Sequence, residues 1–246
     1  MEWLELEYAG QTEETSVIEN CYNTGNIKVT NDLNISLTKV RLSIGAGIVG
    51  MNYGKILSCY NTGDITQNGY RSYNGGIAGR SIGGNIEKCY TSGNILASAA
   101  YIARDGGVIG KVENNTTVSN CYNLGDIEVT SNSSYTRIGG VIGEASGKIT
   151  ITNVYNVGVI KYAGTKNLAI GGVVGSADQN TSITNGFFLN TVAEKICGTG
   201  TPTLSNSSAK TEDELKAQDF ILIKDYENIW QKNDKGYPTL KINNED

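Results

Sequence analysis

Residues 18–27 read Ile-Glu-Asn-Cys-Tyr-Asn-Thr-Gly-Asn-Ile, and variants of this stretch recur along the chain. Further copies begin at Ile56, Ile86, Val118, Ile151 and, in degenerate form, Ile183. A second block, Gly-Gly-hydrophobic-hydrophobic-Gly, alternates with the first and occupies residues 46–50 (with Ala in first place), 75–79, 106–110, 139–143 and 171–175. Such alternation indicates a repeat protein in which each repeat is one structural unit.

Within each repeat the apolar residues form short groups of Ile and Val, separated by Asn, Asp, Gly, Ser and Thr. This pattern is typical of short strands joined by tight turns, and it lacks the period of a helix. A repeat of about 32 residues suits one coil of a solenoid whose coils stack about 4.8 Å apart. The sequence therefore predicts an all-β protein, a β-solenoid of about six coils.

The glycines need a structural reason, because Gly inside a strand costs about 0.5–1 kcal/mol relative to Ala. Either the second block forms a corner with positive φ, or a side chain there would collide with a neighbouring layer. The Asn-Thr-Gly of the first block is interpreted as another corner, where Asn amides pair along the column. Between the two blocks the chain varies most in length, which predicts protruding loops along this edge.

The two ends of the chain lack the repeats. We predict an N-terminal lead-in over residues 1–17, a solenoid over 18–190, and a loop, helix and capping segment over 191–246. Thr211-Glu212-Asp213-Glu214 fits a capping box and predicts a helix to about Leu222. Because an open solenoid end exposes strand edges, this helix, Trp230 and Leu240 are expected to cover the last coil. Trp3, Leu4, Leu6 and Tyr8 are expected to act similarly at the first coil.

The composition excludes several function classes. The chain of 246 residues contains no His, which removes Ser-His-Asp and Cys-His catalysis and His-bearing zinc sites. Its net charge of −5 argues against nucleic acid and anionic membranes as partners. No apolar run approaches the ~20 residues that span a bilayer, so we expect no membrane insertion by this segment. No cofactor is expected. The N-terminus does not read as a signal peptide, so an exported protein would contain this chain as a segment.

The second block resembles the GLUG motif of bacterial secreted and surface proteins. The similar tetrads are Gly-Ile-Val-Gly (47–50), Gly-Ile-Ala-Gly (76–79), Gly-Val-Ile-Gly (107–110 and 140–143) and Gly-Val-Val-Gly (172–175). Proteins with this motif include adhesin-like proteins and the non-catalytic parts of IgA-specific metallopeptidases. The resemblance implies a right-handed parallel β-helix that is extracellular or on the bacterial cell surface, and it carries no shared catalytic residue.

Two ladders of side chains are expected from the first block. Four of the five Cys share one repeat position, where Val154 and Gly186 also occur, so a reduced inward ladder is preferred to disulfides. The adjacent position holds an aromatic residue in every copy. Adjacent residues of a strand face opposite ways, so these rings should point outward. They either stack structurally or form a flat strip for sugar or protein.

A candidate binding surface lies in the predicted loops before the second block. Exposed Tyr and Arg are enriched at binding hot spots, and clustered Arg stands out on an acidic chain. The alternative is that these residues stack laterally and solvate the edge. The candidates are Arg41, Tyr70, Arg71, Tyr73, Tyr101, Arg104, Tyr135 and Arg137.

The preferred function is a non-catalytic surface or secreted module with an adhesin-like or spacer role, whose partner is a host glycan or extracellular-matrix protein. The alternative is a polysaccharide lyase or glycosidase, since β-helices also host such enzymes. That chemistry needs carboxylates converging in one groove. Asp64 and Asp126 are better explained by turns, and Asp105, Glu144 and Asp178 form no repeated cluster.

Overall fold

The computed structural model describes residues 10–30, 42–166, 168–224 and 226–242, and over these the chain is a parallel β-solenoid of about five turns. The predicted fold class is confirmed. The sequence contains six copies of the first block, but only five layers of the described chain have strands in each of the three sheets described below. After Leu189 the chain runs directly to the strand Cys197–Gly200 and adds no strand to the sheet that contains Ile65–Gly75.

Three parallel sheets run along the column, and each is named here by its residues. The Cys–Tyr sheet holds Val17–Glu19, Tyr22–Asn23, Lys55–Leu57, Tyr60–Asn61, Asn85–Glu87, Tyr90–Thr91, Thr117–Asn123, Ile149–Asn156, Thr181–Leu189, Thr203–Ser205 and Ser208–Lys210. The long-strand sheet holds Ile27–Thr30, Leu42–Ala46, Ile65–Gly75, Ile95–Gly106, Ile127–Thr130, Tyr135–Gly139, Ile160–Ala163 and Ala169–Gly171. The glycine sheet holds Val49–Asn52, Ala78–Ile82, Ile109–Glu113, Ile142–Ser146, Val174–Ala177 and Cys197–Gly200.

The register explains why one repeat stacks on the next. Each residue pairs with the residue one repeat away, as in the column Ile86, Val118, Ile151 and Ile183, which is fully buried. Burying one apolar side chain of this kind contributes about 1.5–3 kcal/mol relative to exposure. The core is therefore a set of parallel columns of Ile and Val.

The sharp corner of each coil lies immediately before the Cys position, where the sequence analysis did not place one. The corner residues have φ of 53–54°, and they include Asn20, Asn120, Asn153 and Asn185. Asn tolerates this left-handed conformation better than most residues. The amides also bond along the column, since Asn185 Nδ2 donates to Asn153 Oδ1 at 2.8 Å.

The glycines of the second block serve close packing. They lack positive φ, so the corner explanation is wrong and the collision explanation is confirmed. A methyl group at Gly140 would overlap the carbonyl oxygen of Gly172 and the side chain of Asn156. Only a residue without Cβ allows two layers and the Asn side chain to approach this closely.

The predicted Asn ladder of the first block exists, and it is interrupted at Thr91. Asn23 Nδ2 donates to Asn61 Oδ1 at 2.7 Å, and Asn123 Nδ2 donates to Asn156 Oδ1 at 2.8 Å. Thr91 lies between these pairs in the register, and its buried Oγ1 has no hydrogen-bond partner among the described residues. The ladder therefore lacks one amide.

Thr91→Asn is expected to raise the free energy of unfolding by about 1–3 kcal/mol, since the amide can rejoin Asn61 and Asn123 and each net hydrogen bond contributes about 1 kcal/mol. Chemical denaturation measures the change. Thr91→Val is the matched control, and we expect it to be close to neutral because the hydroxyl it removes has no partner. A destabilised Thr91→Asn variant would show that the ladder does not accept an amide here.

The inward position of the cysteine ladder is confirmed for Cys59, Cys89 and Cys121, which are fully buried. Cys21 is exposed because its strand region belongs to the first layer that the structure describes, and Cys197 is half-buried in the last layer. All five cysteines are free. Burial raises the pKa of the Cys89 thiol well above its ordinary value.

The C-terminal segment contains two short helices, α1 (Glu212–Lys216) and α2 (Ile221–Lys224), and an antiparallel hairpin of Trp230–Lys232 with Pro238–Leu240. The capping box is confirmed, since Thr211 N donates to Glu214 Oε2 at 2.7 Å and Glu214 N donates to Thr211 Oγ1 at 3.2 Å. The single helix predicted to about Leu222 is wrong, because the chain turns to extended backbone at Ala217.

The predicted cover of the last coil is also wrong. The C-terminal segment packs against the side of the column, where Trp230, Leu215 and Leu222 form one buried cluster with Tyr155 and Phe187. The aromatic rings of the solenoid offer a broad apolar surface there, and this surface attracts the apolar residues of the helices and hairpin. The lead-in residues Trp3, Leu4, Leu6 and Tyr8 lie outside the described residues.

Candidate functional site

The predicted binding residues come together at one lateral corner of the column, but they lie in strands and not in protruding loops. Tyr70, Arg71 and Tyr73 belong to Ile65–Gly75, and the others belong to Ile95–Gly106 and Tyr135–Gly139. The loop prediction is wrong because successive layers pair here, in the register Arg71, Ile102 and Tyr135. Arg41 lies outside the described residues. We call the remaining seven the Tyr–Arg corner: Tyr70, Arg71, Tyr73, Tyr101, Arg104, Tyr135 and Arg137.

One half of the Tyr–Arg corner is an aromatic stack. The ring centroids of Tyr70 and Tyr101 are 5.3 Å apart with an interplanar angle of 18°. Tyr135 continues the stack at 5.3 Å from Tyr101 but is tilted by 57°, and it is 48% exposed. The Arg71 guanidinium lies 5.4 Å from the centre of the Tyr101 ring, within cation–π distance. Tyr135 therefore presents the most accessible ring of the stack.

The other half is a row in which Tyr73, Arg104 and Arg137 occupy equivalent positions of successive layers. Arg104 is only 8% exposed. Its guanidinium donates to the carbonyl oxygens of Ala103 and Tyr135, and its Nε lies 2.6 Å from Glu144 Oε2. Arg104 is thus a structural residue, contrary to its proposed role as an exposed contact. Sequence reasoning missed this because Glu144 comes from a different sheet.

An ion-pair network continues from Arg104 across the glycine sheet. Lys111 Nζ lies 2.9 Å from Glu113 Oε1 and 3.2 Å from Glu144 Oε1, and Arg80 pairs with Glu113. Burial by itself raises the pKa of Glu113, but hydrogen bonds from Arg80 and Lys111 hold this pKa below its ordinary value. Each carboxylate of the network is therefore matched by a cation.

Arg71 and Arg137 differ from Arg104, because neither has an ion-pair partner among the described residues. Arg137 donates to the carbonyl oxygens of Ser134 and Thr136 at 3.0 and 2.9 Å. Burial and the like charge of Arg104 lower the pKa of Arg137, and the charge of Glu144 offsets part of this effect. An anionic group beside Arg137 would relieve this repulsion. The corner therefore combines aromatic rings with two cations that lack a carboxylate partner.

The aromatic ladder of the Cys–Tyr sheet is a second surface considered from the sequence. Its rings are Tyr22, Tyr60, Tyr90, Tyr122, Tyr155 and Phe187, and the tyrosine centroids are 4.9–5.2 Å apart with interplanar angles of 3–9°. The ring faces contact one another, so they are not available to stack on a sugar, and structural stacking explains the ladder.

The later half of this ladder is covered. Trp230 contacts Tyr122 and Tyr155 at centroid distances of 5.7 and 5.9 Å. The Tyr122 hydroxyl is 2.7 Å from Thr239 Oγ1, and the Tyr155 hydroxyl donates to the Pro238 carbonyl oxygen. A sequence signal exists in hindsight. The neighbouring row changes from Thr24, Thr62 and Ser92 to Leu124, Val157 and Leu189, which pack against this cluster.

The acidic residues that the sequence offers as possible catalytic groups take part in hydrogen bonds or ion pairs that stabilise the fold. Asp105 is fully buried and accepts a hydrogen bond from Asn74 Nδ2 at 2.6 Å. Asp178 accepts from Gly147 N and Asn180 N. Asp64 and Asp126 each accept from the backbone N–H one layer further on, at 2.8–2.9 Å. This bond between layers replaces the turn expected from the sequence.

Across the described residues, no group of His, Cys, Asp and Glu is arranged to hold a metal ion. Of the helices in these parts of the chain, none has the length and apolar character needed to cross a bilayer.

Comparison with known proteins identifies the fold alone. No family model matches the sequence, and no curated protein matches it significantly. Among solved structures, the chain is similar to a 1.30 Å crystal structure of a "putative immunoglobulin A1 protease" from Bacteroides ovatus. The TM-score is 0.60 and the sequence identity 21%, over 92% of this chain and 75% of that chain.

Proposed function

We propose that this chain is a non-catalytic binding module of an exported bacterial surface protein, and that the Tyr–Arg corner is its ligand face. The observation that carries the proposal is the pair Arg71 and Arg137, held on paired strands beside a tyrosine stack without carboxylate partners among the described residues. The GLUG-like repeats and the fold of the structural neighbour support an exported, surface-associated role.

The chemistry of the corner favours a ligand that carries carboxylates or sulfates together with an apolar face. Arg binds such anions in a planar, bidentate manner, and Tyr supplies rigid contact area. Acidic host glycans and extracellular-matrix proteins meet this description. The structural neighbour is described by its action on immunoglobulin A1, so immunoglobulin A belongs among the test ligands.

The alternative is a polysaccharide-active enzyme. Glu113 and Glu144 are the acidic residues that most resemble the carboxylate pair such an enzyme needs. Glycoside hydrolysis needs one carboxyl group with a raised pKa as the acid. The pKa of Glu113 is lowered, and Lys111 joins both carboxylates in ion pairs. These contacts favour a structural role for the pair.

The test is binding of the purified chain to an array of acidic glycans, extracellular-matrix proteins and immunoglobulin A. The triple variant Arg71→Gln, Tyr135→Ser and Arg137→Gln is expected to weaken binding at least tenfold without lowering the melting temperature. Arg104 is left intact because its removal would break the ion pair with the half-buried Glu144 and the hydrogen bonds to the carbonyl oxygens of Ala103 and Tyr135, and so would alter the fold of the corner.

Tyr22→Ser is the matched control, because Tyr22 is 64% exposed and lies on a different sheet. It should bind like the unaltered chain. Binding that the triple variant retains would place the ligand face elsewhere. No binding across the array would favour the spacer role.

A further inference from the structure

The last layer of the solenoid is open. It consists of Cys197–Gly200, Thr203–Ser205 and Ser208–Lys210, and each of these strands pairs on one side only within the described chain. Most residues of 199–209 are exposed. At the opposite end the glycine sheet is covered, since residues 10–12 pair with Met51, which is 2% exposed. The chain continues beyond this layer, but the helices and hairpin that follow pack on the side of the column and leave the layer uncovered.

The core is exposed at this end. Leu204 is the seventh residue of the inward column that runs from Ile18 through Ile183, and it is 47% exposed because no strand of the described ranges pairs beyond it. It lines a groove of about 410 Å³ together with Phe188, Ile196 and Ala209. An apolar floor beside an unpaired strand edge is the arrangement that accepts one more strand.

The Thr203–Ser205 strand also lacks the features that normally block such pairing. Natural edge strands carry Lys, Pro or bulges that prevent a further strand from joining. No charged residue occurs from Ile196 to Ala209, and Pro202 lies between two strands and not within one. The Thr203–Ser205 edge is therefore open and uncharged, and the charged residues near it are Glu194 and Lys195, which line the groove, and Lys210, which ends the neighbouring strand.

We propose that the last layer binds an extended strand of another polypeptide by strand addition, with an apolar side chain of that strand seated on Leu204. Backbone hydrogen bonds to the Thr203–Ser205 edge supply affinity, and the groove selects an uncharged strand with an apolar residue at every second position. This proposal is independent of the Tyr–Arg corner.

A single strand fits this end better than the first layer of a second copy. The end is stepped, since the Cys–Tyr sheet reaches Lys210 whereas the long-strand sheet stops at Gly171. The first layer of a second copy has strands in all three sheets, so end-to-end stacking would leave a gap above Ala169–Gly171. One extended strand needs only the Cys–Tyr sheet and its groove.

The probe is a fluorescein-labelled synthetic peptide with the uncharged sequence of residues 149–157, which includes the inner strand Ile149–Asn156 of the Cys–Tyr sheet. Fluorescence anisotropy is expected to show saturable binding to the full chain. Leu204→Glu should weaken it at least tenfold, and so should N-methylation of alternate peptide nitrogens, which removes backbone donors but keeps the side chains. Val17→Glu adds the same charge at an exposed site on the opposite end and should bind normally.

Three results would overturn the proposal. The first is no saturable binding, and the second is an equal loss in Leu204→Glu and Val17→Glu, which would indicate a general charge effect. The third is self-association of the chain alone that Leu204→Glu abolishes, which would make a second copy the occupant. Because Leu204 is half-exposed, Leu204→Glu should keep its melting temperature, which separates lost binding from lost folding.

Discussion

Replacing Gly93 by alanine is expected to destabilise the chain by about 3 kcal/mol, which lowers the melting temperature by roughly 6–12 °C. A methyl group at Gly93 would overlap the backbone carbonyl of Gly63 in the layer beneath. Backbone atoms cannot move aside as a flexible side chain can, so the layers must separate locally and lose hydrogen bonds.

The matched control is Gly25→Ala, which changes the same position of the first layer. None of the residues that the structure describes forms a layer beneath Gly25, and an added methyl group would come no closer than 3.7 Å to Asn23 Oδ1. This variant should be neutral or stabilised by about 0.4–1 kcal/mol through the unfolded chain. Thermal unfolding followed by circular dichroism compares the two variants. Equal melting temperatures would refute the close approach between layers.

Asp105→Asn is expected to stabilise the chain by about 4 kcal/mol at pH 8 and to leave its stability unchanged near pH 3. Burial raises the pKa of Asp105 from 3.8 to about 7, although Asn74 and Arg104 act in the opposite direction. The folded chain therefore holds this proton over a pH range in which the unfolded chain has released it. Stability conferred by the proton is fully present below pH 4 and is lost as pH rises to about 7.

Asparagine keeps the oxygen that accepts from Asn74 and cannot ionise, so it removes this dependence on pH. Urea denaturation between pH 3 and pH 8 measures the free energy of unfolding of Asp105→Asn and of the unaltered chain, and the difference between the two should grow with pH. Asp64→Asn removes the same formal charge from an exposed position and controls for net charge. A constant difference across the whole range would contradict burial as the cause.

The properties of Gly93 and Asp105 both depend on contacts between layers, which one repeat of the sequence does not reveal. The sequence predicts a repeated corner at Gly93, but the free space beneath Gly25 among the described residues follows from the order of stacking. From the sequence, Asp105 is only an acidic residue near the second block. The burial and the raised pKa of its carboxyl group depend on Asn74 one layer away and on the apolar core around it.

The candidate site was partly predictable. Tyr70, Tyr101 and Tyr135 occur at similar places in successive repeats, so stacking brings them together. The different roles of Arg104 and Arg137 were not predictable, because they depend on which side chain Glu144 reaches from the glycine sheet. An ion pair between side chains of two different sheets, such as Arg104 with Glu144, is not marked by any repeat in the sequence.

The solenoid and the direction of each side-chain ladder follow from the sequence alone, whereas the choice between a corner and close packing for the Gly-Gly blocks required the structure. The solenoid and its ladders are predictable because, in a stacked repeat, the spatial neighbours of a residue are the same position one repeat earlier and later. The position of the C-terminal segment, which covers Tyr122 and Tyr155 on the side of the column and leaves Leu204 exposed at its end, is visible only in the folded chain. That segment belongs to no repeat, so its place depends on which apolar surface it buries best, and this surface exists only after the layers have stacked.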